Sequence, residues 1–201
     1  MLERPEYQDF VVVKKLFGGA MGKTFVVRHK PSGQLYVMKR VDYHDAKDKK
    51  MADDEIAQMK QLSSRYTVQL MWSFIDRTDM YVVTEYCSRG DLRNMMSELQ
   101  KLPETQRVER VCEIFAQIVL ALNFMHEKGV IHRDIKPENI FIMEDGTARL
   151  GDFGLAKDLS GKDYYAKAEG TNDYIHVSSI NEAPHQLDLQ DVILNKNLKI
   201  L

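Results

Sequence analysis

The stretch His132-Arg133-Asp134-Ile135-Lys136-Pro137-Glu138-Asn139 decides how this chain is read. It sets a carboxylate, an ammonium and a carboxamide at fixed offsets, with Lys136 two residues and Asn139 five residues beyond Asp134. A second carboxylate follows in Asp152-Phe153-Gly154, eighteen residues after Asp134. A carboxylate placed like Asp134 can orient a hydroxyl and take its proton. Asn139 and Asp152 offer the hard oxygen ligands that Mg2+ accepts beside phosphate oxygens. The set suits phosphoryl transfer, which asks a protein for positioning and for cations where charge gathers.

Outward from this stretch the composition is that of a soluble globular chain: 201 residues, 44% hydrophobic, 29% charged, net charge -2. The near-neutral balance gives no electrostatic footprint for nucleic acid or a membrane surface, and neither partner is expected. The mixed-sign run from Asp42 to Asp54 reads as a solvated loop and helix start. Two cysteines, Cys87 and Cys112, make no disulfide framework and point to a reducing compartment. The N-terminus lacks an apolar signal core. The longest apolar stretch, Ile114 to Met125, is interrupted by Gln117 and Asn123 and falls far short of the roughly 20 residues that span a bilayer. A cytoplasmic location is expected, with nuclear or cytoskeletal association left open.

The first half reads mostly as strands: Phe10–Leu16, Thr24–His29, Leu35–Val41, Val68–Phe74 and Met80–Glu85. Between Ala46 and Leu62 the period becomes helical, with Glu55, Met59 and Leu62 on one face. A helical half follows, with a short helix over Asp91–Leu99. A longer one starts at Leu102-Pro103-Glu104, carries apolar residues from Val108 to Met125 and is stopped by Gly129. Ile140–Met143 and Thr147–Leu150 read as a hairpin around Glu144-Asp145-Gly146. The class is α+β, five strands and one helix followed by a helical half. The string Gly22-Lys23-Thr24 is not a Walker A motif, because position 17 is Phe and the following TFVVRH reads as a strand.

The phrases DMYVVTEYCSRGDL (79–92), HRDIKPENIFI (132–142) and GTARLGDFGLAK (146–157) resemble those of eukaryotic protein kinases. The likeness is to the serine/threonine type, most of all the NIMA-related kinases, and covers roughly residues 8 to 175. It implies a bilobal fold, with an extension over 1–9, an N-lobe over 10–86 and a partial C-lobe over 87–178 holding the catalytic loop and activation segment. Residues 179–201 are unlike the family, so the C-lobe is expected to be truncated and incomplete. The apolar helix from Val108 to Met125 then loses expected cover, and self-association or a partner kinase is expected there.

The resemblance also implies roles. Lys39 binds the α and β phosphates of ATP and is oriented by Glu55. Asp134 takes or orients the substrate hydroxyl proton, Lys136 neutralises the γ-phosphate as in serine/threonine kinases, and Asn139 and Asp152 hold Mg2+. Leu16, Phe17, Gly18, Gly19 and Gly22 belong to a glycine-rich loop, imperfect because Phe17 stands where its first glycine is expected. Thr24 and Val37 above the adenine and Phe141 below it form a sandwich. Thr84 guards the back pocket, and the backbones of Glu85 and Cys87 bond the base. Cys87 reads as a half-buried structural residue. Candidate phosphosites are Ser160, Tyr164, Tyr165 and Thr171. The implied activity is ATP-dependent phosphorylation of protein serine or threonine; the alternative is a truncated kinase acting as a nucleotide-binding or partner-binding regulator with little turnover.

Overall fold

The computed structural model describes residues 5–16 and 23–158. Strands β1 (Phe10–Leu16), β2 (Lys23–His29), β3 (Leu35–Asp42), β4 (Leu70–Asp76) and β5 (Asp79–Glu85) form an antiparallel sheet in the order β1-β2-β3-β5-β4. Between β3 and β4 runs helix α1 (Ala46–Gln61). Asp45 caps it, Oδ1 accepting the N–H groups of Lys47 and Asp48 at 2.9 and 2.8 Å, which satisfies two donors that a first turn leaves without helical partners.

Residues paired directly across strands share a face of the sheet. The register aligns Leu16 with Thr24, Thr24 with Lys39 and Lys39 with Val82, and likewise Val26 with Val37 and Val37 with Thr84. The opposite face is an aromatic-rich cluster of Phe10, Val27, Tyr36, Met38, Tyr81 and Val83, flanked by Phe25, Trp72 and Phe74. Tyr7, in a short 3-10 turn ahead of β1, lays its ring 4.9 Å from that of Tyr81, so the end of the N-terminal extension packs onto the sheet. The alternation Tyr36-Val37-Met38-Lys39 thus sends Met38 into the cluster and Lys39 to the other side.

The sequence places the fourth strand at Val68–Phe74, whereas it runs from Leu70 to Asp76. Val68 and Gln69 leave the ladder for other acceptors: the Val68 N–H donates to Leu150 O at 2.9 Å, and the Gln69 N–H to Glu85 Oε1 at 2.7 Å. Their apolar and polar character fits a strand equally well, and only tertiary context redirects them.

Beyond Glu85 come α2 (Leu92–Leu99), α3 (Glu104–Glu127), β6 (Val130–Ile131), the hairpin β7 (Ile140–Ile142) and β8 (Ala148–Leu150), and β9 (Lys157–Asp158). Asp91 caps α2 through the Asn94 N–H at 2.8 Å. The two-residue pairing of β6 with β9 is too short to leave a periodic signal in the sequence. On α3, Ile114, Ile118, Ala121 and Met125 recur at helical spacing and are buried, while Val108 and Leu120 are exposed. The main core joins this face to Ile56, Met59 and Leu62 at the end of α1 and to Ile142, Leu150 and Phe153. No helix among the described residues is long and apolar enough to cross a membrane.

Candidate active site

Lys39 extends from the middle of β3, and Glu55 projects from the third turn of α1. Lys39 Nζ donates to Glu55 Oε1 at 2.8 Å and to Oε2 at 3.1 Å. α1 is held there because Ala52, Ile56 and Met59, its buried positions, dock on the core. The pairing expected from sequence is therefore formed, on a strand and a helix that packing fixes independently.

The second set lies on the loop between β6 and β7. Lys136 Nζ donates to Asp134 Oδ2 at 2.7 Å. Asn139, in a 3-10 turn opened by Pro137, donates Nδ2 to Asp134 O at 2.8 Å and to Oδ2 at 2.9 Å. Asp134 and Asn139 are both buried. The Asn139 amide nitrogen is thus committed to Asp134, which turns Oδ1 into the atom that can serve a cation. Asp152 is exposed, accepting only a long 3.4 Å bond from the Gly154 N–H at Oδ1 among the described residues. A carboxamide oxygen and a carboxylate fit the few hard protein ligands that Mg2+ takes.

Between these groups runs a buried frame that the sequence reading left without a role. His132 is almost fully buried. Its Nε2 bonds Gly151 O at 3.0 Å, and its Nδ1 accepts the Asp134 N–H at 3.3 Å. A carbonyl only accepts, so Nε2 carries the proton and the ring is neutral. Burial pushes its pKa below the ordinary value. Its ring meets Phe153 edge-on at 5.6 Å, and Phe153 is buried in the main core. Gly151 in turn donates its N–H to Asn139 O at 2.9 Å. Asp152 and Arg133 both take a left-handed backbone, φ 62° and 65°, a sparsely populated region often found at functional positions. Arg133 Nε donates to Leu155 O at 2.6 Å, and Gln58 of α1 donates Nε2 to Ala156 O at 3.2 Å. Both bonds tie down the segment that follows Asp152.

The residues read as nucleotide-binding are distributed over the sheet, the hairpin and the link between them. Leu16, Thr24, Val37, Lys39 and Thr84 share one face of the sheet by register. Phe141 lies on β7, bridged to Asp91. Phe141 and Val68 crowd Gly151, where an added Cβ would stand 2.9 Å from the ring and 2.8 Å from Val68 Cγ2. Glu85 ends β5, and Cys87 follows in the link to α2. The Glu85 side chain pairs with Arg149 Nη1 at 2.7 Å, and Oε1 also accepts the Gln69 N–H. Cys87 is buried; desolvation and the Glu85 carboxylate push its thiol up to about 12, against a smaller lowering by Arg149. A thiol so placed is inert at neutral pH. Phe17, Gly18, Gly19 and Gly22 lie outside the described residues, as do Ser160, Tyr164, Tyr165, Thr171 and the segment 179–201.

The sequence reading missed His132, Phe153, Gln58 and Arg149 as contributors. Arg149 carries the one available signal, a cation between Ala148 and Leu150 in an otherwise apolar strand, which demands a partner when half-buried.

A model of the protein kinase domain matches residues 10–192. The chain is 34% identical over 181 residues to the serine/threonine-protein kinase Nek6 of Oryza sativa subsp. japonica, which covers 89% of this chain and 33% of that protein. It is 34% identical over 155 residues to the serine/threonine-protein kinase Nek1 of Mus musculus, covering 76% of this chain and 13% of that protein. To the serine/threonine-protein kinase greatwall of Danio rerio it is 33% identical over 159 residues, covering 78% of this chain and 18% of that protein. The chain thus spans a third or less of the length of these curated relatives. The chain belongs to the eukaryotic protein kinase family, serine/threonine type, related to the NIMA-related kinases. The family as a whole works with ATP and Mg2+.

Proposed function

We propose that this chain transfers the γ-phosphoryl group of ATP to a serine or threonine hydroxyl of a protein substrate. The observation that carries this reading is the two-oxygen engagement of Lys39 by Glu55 at 2.8 and 3.1 Å. The pair presents an ammonium for phosphate, while Asp134, Lys136 and Asn139 form a second bonded cluster on the loop after β6. In this reading Lys39 takes the α and β phosphates, and Glu55 keeps it extended. Leu16, Thr24 and Val37 cover the adenine, Phe141 supports it from below, and the backbones of Glu85 and Cys87 bond its edge. Phe17, Gly18, Gly19 and Gly22 are assigned to the phosphates by the sequence likeness. Asn139 and Asp152 would hold Mg2+, which would supply positive charge beside the phosphates. Asp134 orients the substrate hydroxyl and receives its proton, while Lys136, already on Asp134 Oδ2, stands ready to meet the transferring group.

The working location is the cytoplasm, and α3, with Val108 and Leu120 exposed, is the face for self-association or a partner kinase. The test is Mg2+-dependent transfer of labelled γ-phosphate to a generic basic protein, wild type beside Asp134→Asn. Transfer that vanishes in the variant supports the proposal. Nucleotide binding without transfer would replace it with the regulator reading, and absence of both would overturn the two.

A further inference from the structure

We propose that Asp42, His44 and Asp79 form a surface site for a divalent transition-metal ion of the zinc class, separate from the cleft. One oxygen of each carboxylate and one imidazole nitrogen lie within 4.8 Å of one another. Local geometry produces this convergence. Asp42 and Asp79 are direct partners at the ends of β3 and β5 and so share a face. His44 follows Asp42 by two residues, the spacing that returns an extended chain to the same side.

Two features argue that the arrangement is made for a cation. Carboxylates placed directly opposite each other in a ladder repel. Asp76, paired with Asp79 across the β4–β5 turn, adds a third to the same edge. Asp79 is paired only loosely with Arg40, whose Nε stands 3.6 Å from Oδ2, beyond hydrogen-bond length. The imidazole then decides the class of ion. Mg2+ and Ca2+ prefer oxygen alone, whereas one nitrogen and two carboxylate oxygens suit Zn2+, Co2+ or Ni2+. Bonds of 2.0–2.2 Å in a tetrahedral site set ligands about 3.4 Å apart, so exposed side chains need to close by little more than an ångström.

Position gives the site a consequence. His44 immediately precedes Asp45, the cap of α1, and Asp79 begins β5. A bound ion would pin the start of α1 to the sheet. The inference concerns binding alone and stands whether or not the chain transfers phosphate.

The experiment is a calorimetric titration of the full chain with ZnCl2, alongside Co2+ followed by its visible absorption. Wild type should bind one Zn2+ with micromolar affinity and rise in melting temperature. His44→Ala and Asp79→Asn should each weaken binding by about tenfold or more and erase the Co2+ bands and the thermal shift. Asp42 and His44 are exposed, so circular dichroism of their variants should match wild type. Affinity unchanged in His44→Ala, loss confined to His44→Ala with Asp79→Asn and Asp42→Asn both unaffected, or no binding at millimolar Zn2+ would each overturn the site.

Discussion

Arg149 of β8 and Glu85 at the end of β5 meet at 2.7 Å although 64 residues separate them in the chain. Both side chains are mostly buried, at 17% and 14% exposure, and Oε1 of Glu85 also takes the Gln69 N–H. Removing one partner of a buried pair leaves the other charge without compensation. Arg149→Met should therefore lower unfolding free energy by about 2–3 kcal/mol, less than a fully buried pair because water reaches both groups. Glu85→Gln with Arg149→Met together should cost less than the sum of the singles. Urea denaturation of the double-mutant cycle checks this, and strict additivity would refute the coupling.

The Lys39–Glu55 pair makes a different prediction. Lys39→Met should reduce phosphate transfer by about 10²-fold or more, since a charge aimed at developing phosphate charge is lost. It should also lower the melting temperature modestly, because Glu55 is left mostly buried without its cation, yet not unfold the chain, because α1 stays docked through Ala52, Ile56 and Met59. Paired activity and thermal scans decide; a variant that unfolds as it loses activity would make the pair structural instead.

His132 links stability to pH. Its folded pKa lies below its ordinary value because burial penalises the cation, and a protonated Nδ1 would face the Asp134 N–H. Between that depressed pKa and about 6.5 the unfolded chain binds more protons than the folded one, so stability rises with pH in this window. The contribution is whole above about pH 6.5 and is lost as pH falls toward and through the folded pKa. His126 is also lowered by burial and adds a slope of the same sign. Unfolding free energies from pH 7.5 down to 5.5 should show a shallower slope in His132→Phe than in wild type. Identical slopes would exclude His132 as the source.

Gly151 is crowded on both sides, by Val68 and Phe141. Gly151→Ala should cost about 1–3 kcal/mol, the range for forcing a methyl into a filled space. It should also weaken nucleotide affinity by displacing Phe141. Thermal denaturation and a fluorescent-nucleotide titration test the two effects, and an unchanged melting temperature would show that the neighbours yield freely.

The two thiols should separate cleanly. Cys112 is exposed and Cys87 buried with its pKa pushed up to about 12. At pH 7.5 one thiol per chain should react quickly with a maleimide, and Cys112→Ala should abolish that fast phase. Fast labelling that survives the substitution would mean Cys87 opens to solvent.

Much of this is legible in the sequence itself. The strand alternation around Lys39 and the helical spacing around Glu55 each carry a period, and a period survives in one dimension. The offsets among Asp134, Lys136 and Asn139 are local, so a turn opened by Pro137 suffices to assemble them. What stayed hidden is non-local. Val68 and Gln69 look like strand residues, and their N–H groups are redirected only because Leu150 and Glu85 happen to lie near. His132 reads as one letter of a motif; that its neutral ring is a spacer between Asp134 and Gly151 depends on a fold returning nineteen residues later. The β6–β9 pairing has two residues on each side, fewer than any periodicity needs.

The backbone bonds at Leu150 have a mechanical meaning. Leu150 N–H donates to Tyr66 O at 2.8 Å, and its carbonyl accepts the Val68 N–H at 2.9 Å. The sheet and the helical half are therefore joined at more than the covalent link after Glu85: these two bonds, the Arg149–Glu85 ion pair and the Gln58 bond to Ala156 O all cross from one to the other. The ties sit on different elements, like stitches spaced along a seam. A shear of one half over the other must load several of them at once, so the seam yields as a unit and not stitch by stitch.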